Sequence, residues 1–344
     1  MKEYHTHVLI VGGGIAGASL AYYLSREIRE SIILVDRGRI GSEASGLSAG
    51  TINRNTSPVQ KLHDLGYRFG MEKCSTIVCA KHAQDLLPIP HNARLVVGNK
   101  NIAKLEPELA GGSCHAALVY KNSMVVDPGE LTRAFASASR SAVLENTEIS
   151  KIERLADGRF RATSPGEKAV IYCHKLALCP GAWSKQVGEM AGCEPIPIVP
   201  VKGQVWVTEH ATPLKNIIYA HSRHSGPTHT KDRKPLWRNL YGRKLPDGRA
   251  LFGGARLPAR DSSSDELYGV EEEFQNMEHV YELLPNMRRY GVLGGWAGPM
   301  PFGPLLAKEV SRNCWVITGL GSHGFKDGPL LAEKVAKMIR AQNH

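Results

Sequence analysis

The stretch His7-Val8-Leu9-Ile10-Val11-Gly12-Gly13-Gly14-Ile15-Ala16-Gly17 decides the reading of the chain. His7 to Val11 is a short apolar run with the length of a buried strand. Gly12, Gly14 and Gly17 follow in the order G-x-G-x-x-G. Ala18 to Leu24 places Leu20, Ala21 and Leu24 on one side, which predicts a helix. Ile32 to Val35 predicts a second strand, ending at Asp36. The first glycine makes a tight turn, the second lets a pyrophosphate approach the backbone, and the third lets helix pack on strand. The helix N-terminus turns its free N–H groups and positive dipole end toward phosphates. Asp36 stands about 20 residues on, where a carboxylate accepts from ribose hydroxyls. Ile15, Ala16 and Arg37 join this cofactor-binding set. Asp36 followed by Arg37 does not by itself separate FAD from NAD.

Outward from this unit, residues 41–51 read Gly-Ser-Glu-Ala-Ser-Gly-Leu-Ser-Ala-Gly-Thr. Small side chains let this backbone lie against something flat, and Ser45, Ser48, Ala49 and Gly50 are its candidate cofactor contacts. Leu62 to Cys79 has helical spacing. Arg94 to Val97 predicts a strand and Lys100 to Pro107 a short helix. Asp127-Pro128-Gly129 opens a helix over Glu130 to Ser139, with Pro128 suited to a first turn. Glu148 to Arg154, Arg159 to Thr163 and Ala169 to Cys173 read as strands, the first two joined by the hairpin turn Asp157-Gly158. Lys175 to Leu178 is a further strand, ending in Cys179-Pro180-Gly181-Ala182-Trp183-Ser184. Gly181 there frees the backbone to approach a ligand, with Trp183 beside it. Pro195, Pro197 and Pro200 mark a crossing between domains. Val205 to Thr208 and Ala250 to Gly253 predict strands, and Glu271 to Leu284 an amphipathic helix. Near the end, Trp315 to Thr318 is a strand, residues 319–326 are a glycine-rich turn, and Pro329 to Arg340 is a closing helix. This second strand, turn and helix aims a second helix N-terminus at the cofactor, through Gly321, His323, Gly324, Phe325 and Lys326.

A chain of 344 residues accommodates two domains, or one nucleotide domain with large insertions. No apolar run reaches the roughly 18 residues of a membrane span. The strand beginning within ten residues of Met1 leaves no room for a signal peptide, so the cytoplasm is expected, with the mitochondrial matrix as the alternative. Seven cysteines in no zinc spacing read as free thiols in a reducing compartment, with no metal site. The net charge is +10, and much of it lies between residues 221 and 260 in Arg223, Lys231, Arg233, Lys234, Arg238, Arg243, Lys244, Arg249, Arg256 and Arg260. Such a stretch is a solvated basic face, or it serves an anionic substrate, an acidic partner or RNA. Its aromatic residues are sparse (Trp237, Tyr241, Phe252), which weighs against RNA.

In this order the motifs resemble the superfamily of D-amino acid oxidase, glycine oxidase and monomeric sarcosine oxidase. The markers are the N-terminal fingerprint, the 41–51 loop, Asp127-Pro128, Pro180-Gly181-Ala182-Trp183-Ser184 and Pro200-Val201-Lys202-Gly203-Gln204. Leu251-Phe252-Gly253-Gly254, Trp296-Ala297-Gly298 and Gly324-Phe325-Lys326 complete them. The resemblance implies an α/β fold: a Rossmann-like FAD-binding domain assembled from residues 1–75, 125–200 and 292–344. A β-rich substrate domain, 76–124 and 201–291, covers the flavin. It implies oxidation of the C–N bond of a D-amino acid, glycine or N-alkyl amino acid. Hydride passes to flavin N5, the imine hydrolyses, and oxygen becomes hydrogen peroxide.

Such a site needs a cation for the carboxylate and a pocket dry enough to keep the amine neutral. Lys326 matches the sarcosine oxidase lysine that binds substrate carboxylate. Arg54 is a second carboxylate candidate, and Tyr241, Arg243 and Arg256 flank the substrate-domain strands. A helix beginning near Pro329 supplies a positive field beside the flavin. Two positions depart from the family. Gly303 stands where an Asp is common, and Trp296 stands where sarcosine oxidases tether FAD through cysteine, so noncovalent FAD is expected. The partner expected is a small amino acid. Three rival readings remain: a dehydrogenase with an acceptor other than oxygen, a tRNA-modifying oxidase domain, and a catalytically idle FAD-binding assembly factor.

Overall fold

The computed structural model describes residues 1–220, 237–259 and 270–342. Strand β1 (Lys2–Val11) starts earlier than the apolar run indicates, because its polar first half pairs with a neighbour while remaining largely exposed. Helix α1 (Ile15–Glu27) likewise extends past both ends of the Ala18–Leu24 window. Strands β2 (Ile32–Val35) and β3 (Thr51–Ile52) follow. The helix expected over Leu62 to Cys79 is not formed. Helix α2 (Ser57–Asp64) ends before Gly66 and Gly70, both at positive φ, and strand β4 (Glu72–Ala80) follows. The β-branched run Thr76-Ile77-Val78 prefers the pleated surface, which overrides the helical spacing.

Strand β5 (Arg94–Val97) and helix α3 (Asn99–Leu105) match expectation, and strand β6 (Ala116–Val125) pairs with both β4 and β5. Helix α4 (Pro128–Ser137) is capped by Asp127, whose carboxylate accepts from the Glu130 N–H at 2.8 Å. Strands β7 (Ala142–Leu144), β8 (Lys151–Arg154) and β9 (Phe160–Thr163) come next, with Gly158 at φ +84° in the hairpin. Ala169–Cys173 and Lys175–Leu178 form one strand, β10 (Ala169–Leu178), since both halves run alongside β1.

Helix α5 (Ser184–Met190) leads through the proline-rich crossing to β11 (Val199–Ala211). Strands β12 (Ile217–Ala220), β13 (Trp237–Lys244) and β14 (Arg249–Pro258), helix α6 (Val270–Leu283) and strand β15 (Val292–Phe302) follow. Strands β16 (Leu306–Ser311) and β17 (Cys314–Thr318) precede helix α7 (Gly324–Ala341). Helix α7 begins before Pro329, the expected start, and carries that proline inside; the glycines of its first turns give the sequence no helical pattern there. Arg223, Lys231, Arg233, Lys234 and Arg260 of the basic stretch lie outside the described residues.

One sheet runs β16-β17-β10-β1-β2-β7, with β9 on β10 and β8 on β9. From β17 through β10, β1 and β2 to β7 every pairing is parallel. Strands of that kind are buried on both faces. Val8, Leu9 and Ile10 are fully buried, and each contributes roughly 1.5–3 kcal/mol relative to exposure. Side chains of α1, α4 and α7 form the core on one face of this sheet. The second sheet runs β15-β11-β14-β13-β12-β4-β6-β3, with β5 on β6. Residues 292–302, counted with the nucleotide domain in the expected division, pair with β11 in this second sheet. No described helix is long and apolar enough to cross a membrane.

Candidate functional site

Three neighbouring parallel strands, β17, β10 and β1, end side by side. Their carboxyl ends release the Gly319 turn, the Cys179-Pro180-Gly181 turn and the Gly12 turn. This is where open α/β sheets bind ligands. The fingerprint glycines do different things. Gly12 has φ +108°, and a Cβ there would run into the Cys179 carbonyl. A Cβ on Gly17 would strike the Gly12 carbonyl, so Gly17 sets the approach of α1 to β1. Gly14 is extended (φ −71°, ψ −176°), and a Cβ there would meet only Ser45 Oγ, at 3.1 Å. No side chain caps α1, although the Ile15 N–H donates to Ser45 Oγ at 2.9 Å.

Two cavities share Gly14, Ala44, Ser45, Cys179 and Gly181. The smaller, about 440 Å³, reaches Gly12, Asp36, Arg37 and Trp183. Asp36 accepts from the Gly13 N–H at 2.6 Å and the Gly38 N–H at 2.8 Å. Burial raises its carboxyl pKa, against the pull of those two bonds. The Arg37 guanidinium lies 3.9 Å over the Trp183 ring and pairs with Glu43 at 2.9 Å.

The larger cavity, about 610 Å³, lies between the glycine turns and the second sheet. Ile15, Ala16, Ser48, Ala49 and Gly50 form one side, and Gly321, His323, Gly324, Phe325 and Lys326 another. Tyr241 and Arg256 of the second sheet face the same space. Among the described residues that line it there is no Asp or Glu. Lys326 is only 8% exposed although it sits in the first turn of α7, and its Nζ is 5.5 Å from the Tyr219 ring centroid. Burial pushes the Tyr241 phenol up to about 12, and burial also lowers the Arg256 guanidinium. The His323 imidazole, although its side chain is half exposed, is lowered to about 4, first by the desolvation of its inner side and then by the charges of Lys326 and Arg54.

The structure does not bring Arg54 into the cavity wall. Its guanidinium is half exposed and bound by Asp327, at 2.6 Å from Nη2 and 3.3 Å from Nε. Arg243 is buried elsewhere, donating to the Val126 carbonyl at 3.3 Å. Sequence reasoning missed Tyr219, which lines the cavity, stands opposite Tyr241 across the β12–β13 pair and shares a 3.0 Å hydrogen bond with Thr51 Oγ1. Its position follows from the cross-strand register with Tyr241, for which the sequence around Ile217 to Ala220 carries no signal. At Gly303 φ is +150°, and a Cβ would strike the Pro197 carbonyl. An Asp is therefore sterically incompatible with this backbone.

The joined cavities, the helix N-terminus where they meet and the bare backbone at Gly14 fit an elongated dinucleotide. Residues 7–338 match the family described as FAD dependent oxidoreductase, and the chain belongs to that family. It is 22% identical to mouse (Mus musculus) mitochondrial dimethylglycine dehydrogenase, covering 91% of this chain and 40% of that protein. It thus spans well under half of that relative's length. The fold is shared with glycine oxidase from Geobacillus kaustophilus (TM-score 0.80, 19% identity, 98% of this chain and 95% of that one). It is also shared with FAD-bound L-alpha-glycerophosphate oxidase from Mycoplasma pneumoniae (TM-score 0.80, 17% identity, 97% and 94%).

Proposed function

We propose that the protein oxidises the C–N bond of a small amino acid, either a D-amino acid, glycine or an N-alkyl amino acid. The observation that carries this is the larger cavity, where Lys326 and Arg256 converge beside the glycine turns and no Asp or Glu is among the described lining residues. That wall suits a carboxylate, and charge-assisted bonds from two cations are the strong kind. Burial together with the same cations disfavours an ammonium, so the substrate nitrogen binds as the neutral amine with its lone pair available. Tyr241, protonated at neutral pH, can donate to the carboxylate. His323 is neutral at pH 7, because its value near 4 lies well below. When bound, FAD supplies the two-electron acceptor for hydride, at the residues 14–16, 45–50 and 321–326. Gly12, Asp36, Arg37, Gly181 and Trp183 hold the adenosine half. In this reading the parallel sheet and its helices form the FAD-binding domain, and the second sheet forms the substrate domain.

The test is hydrogen peroxide release across a panel of D-amino acids, glycine and N-methyl amino acids, run in parallel with an artificial dye acceptor. Turnover with peroxide supports the oxidase. Turnover with dye alone makes the protein a dehydrogenase. No turnover with either, in FAD-loaded protein, removes the amino acid reading.

FAD is held without a covalent bond in this proposal. Trp296 occupies the position of the tethering cysteine, and its indole N–H donates to the Leu47 carbonyl at 2.9 Å. Acid precipitation should leave the yellow chromophore in the supernatant. Colour retained in the pellet is the opposing outcome.

A further inference from the structure

At the opposite end of β17 from the cavity, Cys314 Sγ lies 3.8 Å from Cys193 Sγ. Cys314 begins the strand and is fully buried, whereas Cys193 follows α5 and is half-buried. Arg154 reaches into this corner, donating to Ser311 Oγ at 3.2 Å and to the Arg312 carbonyl at 2.7 Å. The cluster thus combines an accessible thiol, a second thiol in van der Waals contact and a neighbouring guanidinium. These are the features of a peroxide-sensitive cysteine with a resolving partner.

We propose that Cys193 is a hydroperoxide-reactive thiol and that Cys314 resolves it to a disulfide. The Cys193 thiolate attacks one peroxide oxygen. An S–O bond forms, the O–O bond breaks, and the departing hydroxide takes a proton to become water. The Cys314 sulfur then attacks the Cys193 sulfur, and its own thiol proton passes to the departing hydroxide. The S–S bond forms, the S–O and S–H bonds break, and a second water leaves. Two thiols are oxidised by two electrons while one peroxide is reduced to two waters. Hydrogen bonding to Cys314, then to Ser311, and the charge of Arg154 hold the Cys193 thiol below its ordinary value. The other half-buried thiol, Cys74, is instead pushed up to about 11 by burial, which provides an internal comparison. Peroxide is added from solution in the test, so the outcome does not depend on the acceptor the enzyme uses.

Folded FAD-loaded protein is treated with hydrogen peroxide, quenched, denatured with an alkylating agent and mapped without reductant. The expected result is the loss of two of the seven free thiols, recovered as one Cys193–Cys314 cross-linked peptide. Without peroxide, Cys193 should alkylate at least ~10-fold faster than Cys74. Cys193→Ser should abolish both thiol losses. Cys314→Ser, or Cys314→Ala if the first does not fold, should leave Cys193 as a sulfenic acid that a cyclic dione traps. Oxidation of Cys74 before Cys193, equal alkylation rates, or a Cys193–Cys314 pair still reduced after peroxide would overturn the proposal.

Discussion

Gly14→Val protein should purify colourless and folded. Gly14 is the fingerprint glycine whose substitution separates cofactor binding from folding. Its backbone is extended, a conformation any residue adopts, and a Cβ there meets only Ser45 Oγ. Valine at Gly12 or Gly17 instead drives a side chain into a carbonyl of the turn itself, so loss of colour there reports on the fold. At Gly14 the branched side chain occupies the point where the two cavities join, at the N-terminus of α1. A pyrophosphate held there contacts backbone N–H groups and the positive end of the helix, and two methyl groups in that space exclude it. Removing a contact of that class should take FAD occupancy after gel filtration from near full to near zero. Circular dichroism should match the wild-type apoprotein. Full occupancy in the variant would show that the phosphates bind elsewhere.

Much of the parallel sheet was legible because its strands are buried on both faces and read as unbroken apolar runs. The apolar runs Ile32–Val35 and Trp315–Thr318 coincide with β2 and β17 to within a residue. Elements with only one buried face were harder. Leu62 to Cys79 shows helical spacing, yet α2 ends at Asp64 and the rest is turn and β4. The decisive pairing partner, β6, lies some forty residues away in sequence, beyond the reach of a local window. The start of α7 was hidden for a different reason. Gly324 and Gly328 in its first turns carry weak helix propensity, and only packing of Phe325 into the core shows why the turn is helical.

The cavity walls divide in the same way. Backbone-lined parts are written in glycines and small residues, so Gly14, Ser45, Ala49, Gly50, Gly181 and Gly324 could be singled out from spacing and all line a cavity. Side chains that arrive from the second sheet depend on strand register. Tyr219 faces the cavity because it stands opposite Tyr241, a relation no local pattern states. Arg54 follows the small-residue loop closely enough to suggest a contact, but Asp327 of α7 captures it outside the wall.

Lys326→Met should weaken binding of an unreactive carboxylate analogue by about ten- to a hundredfold while FAD stays bound. A charge-assisted contact is worth roughly 1.5–3 kcal/mol, and 1.4 kcal/mol is a factor of ten. The placement of Lys326 argues for a ligand-directed role. A cation in the first turn of a helix is mildly unfavourable, and its burial adds to that. The nearby carboxylate, Asp327, is engaged by Arg54 and by Asn55 Nδ2, at 3.1 Å from the latter. A buried ammonium facing an open cavity lowers the protein's stability unless an anion enters, so the side chain is better suited to a substrate than to the fold. Methionine keeps the length and apolar stem, so the variant should fold at least as well as wild type, with an unchanged or higher Tm. Titrating the analogue and following flavin absorbance gives the dissociation constants directly. Equal constants would remove Lys326 from the carboxylate site and leave Arg256, on the facing wall of the same cavity, as the leading anchor. A tenfold loss with FAD retained would place the substrate carboxylate at the N-terminus of α7, against the wall formed by Tyr219 and Tyr241.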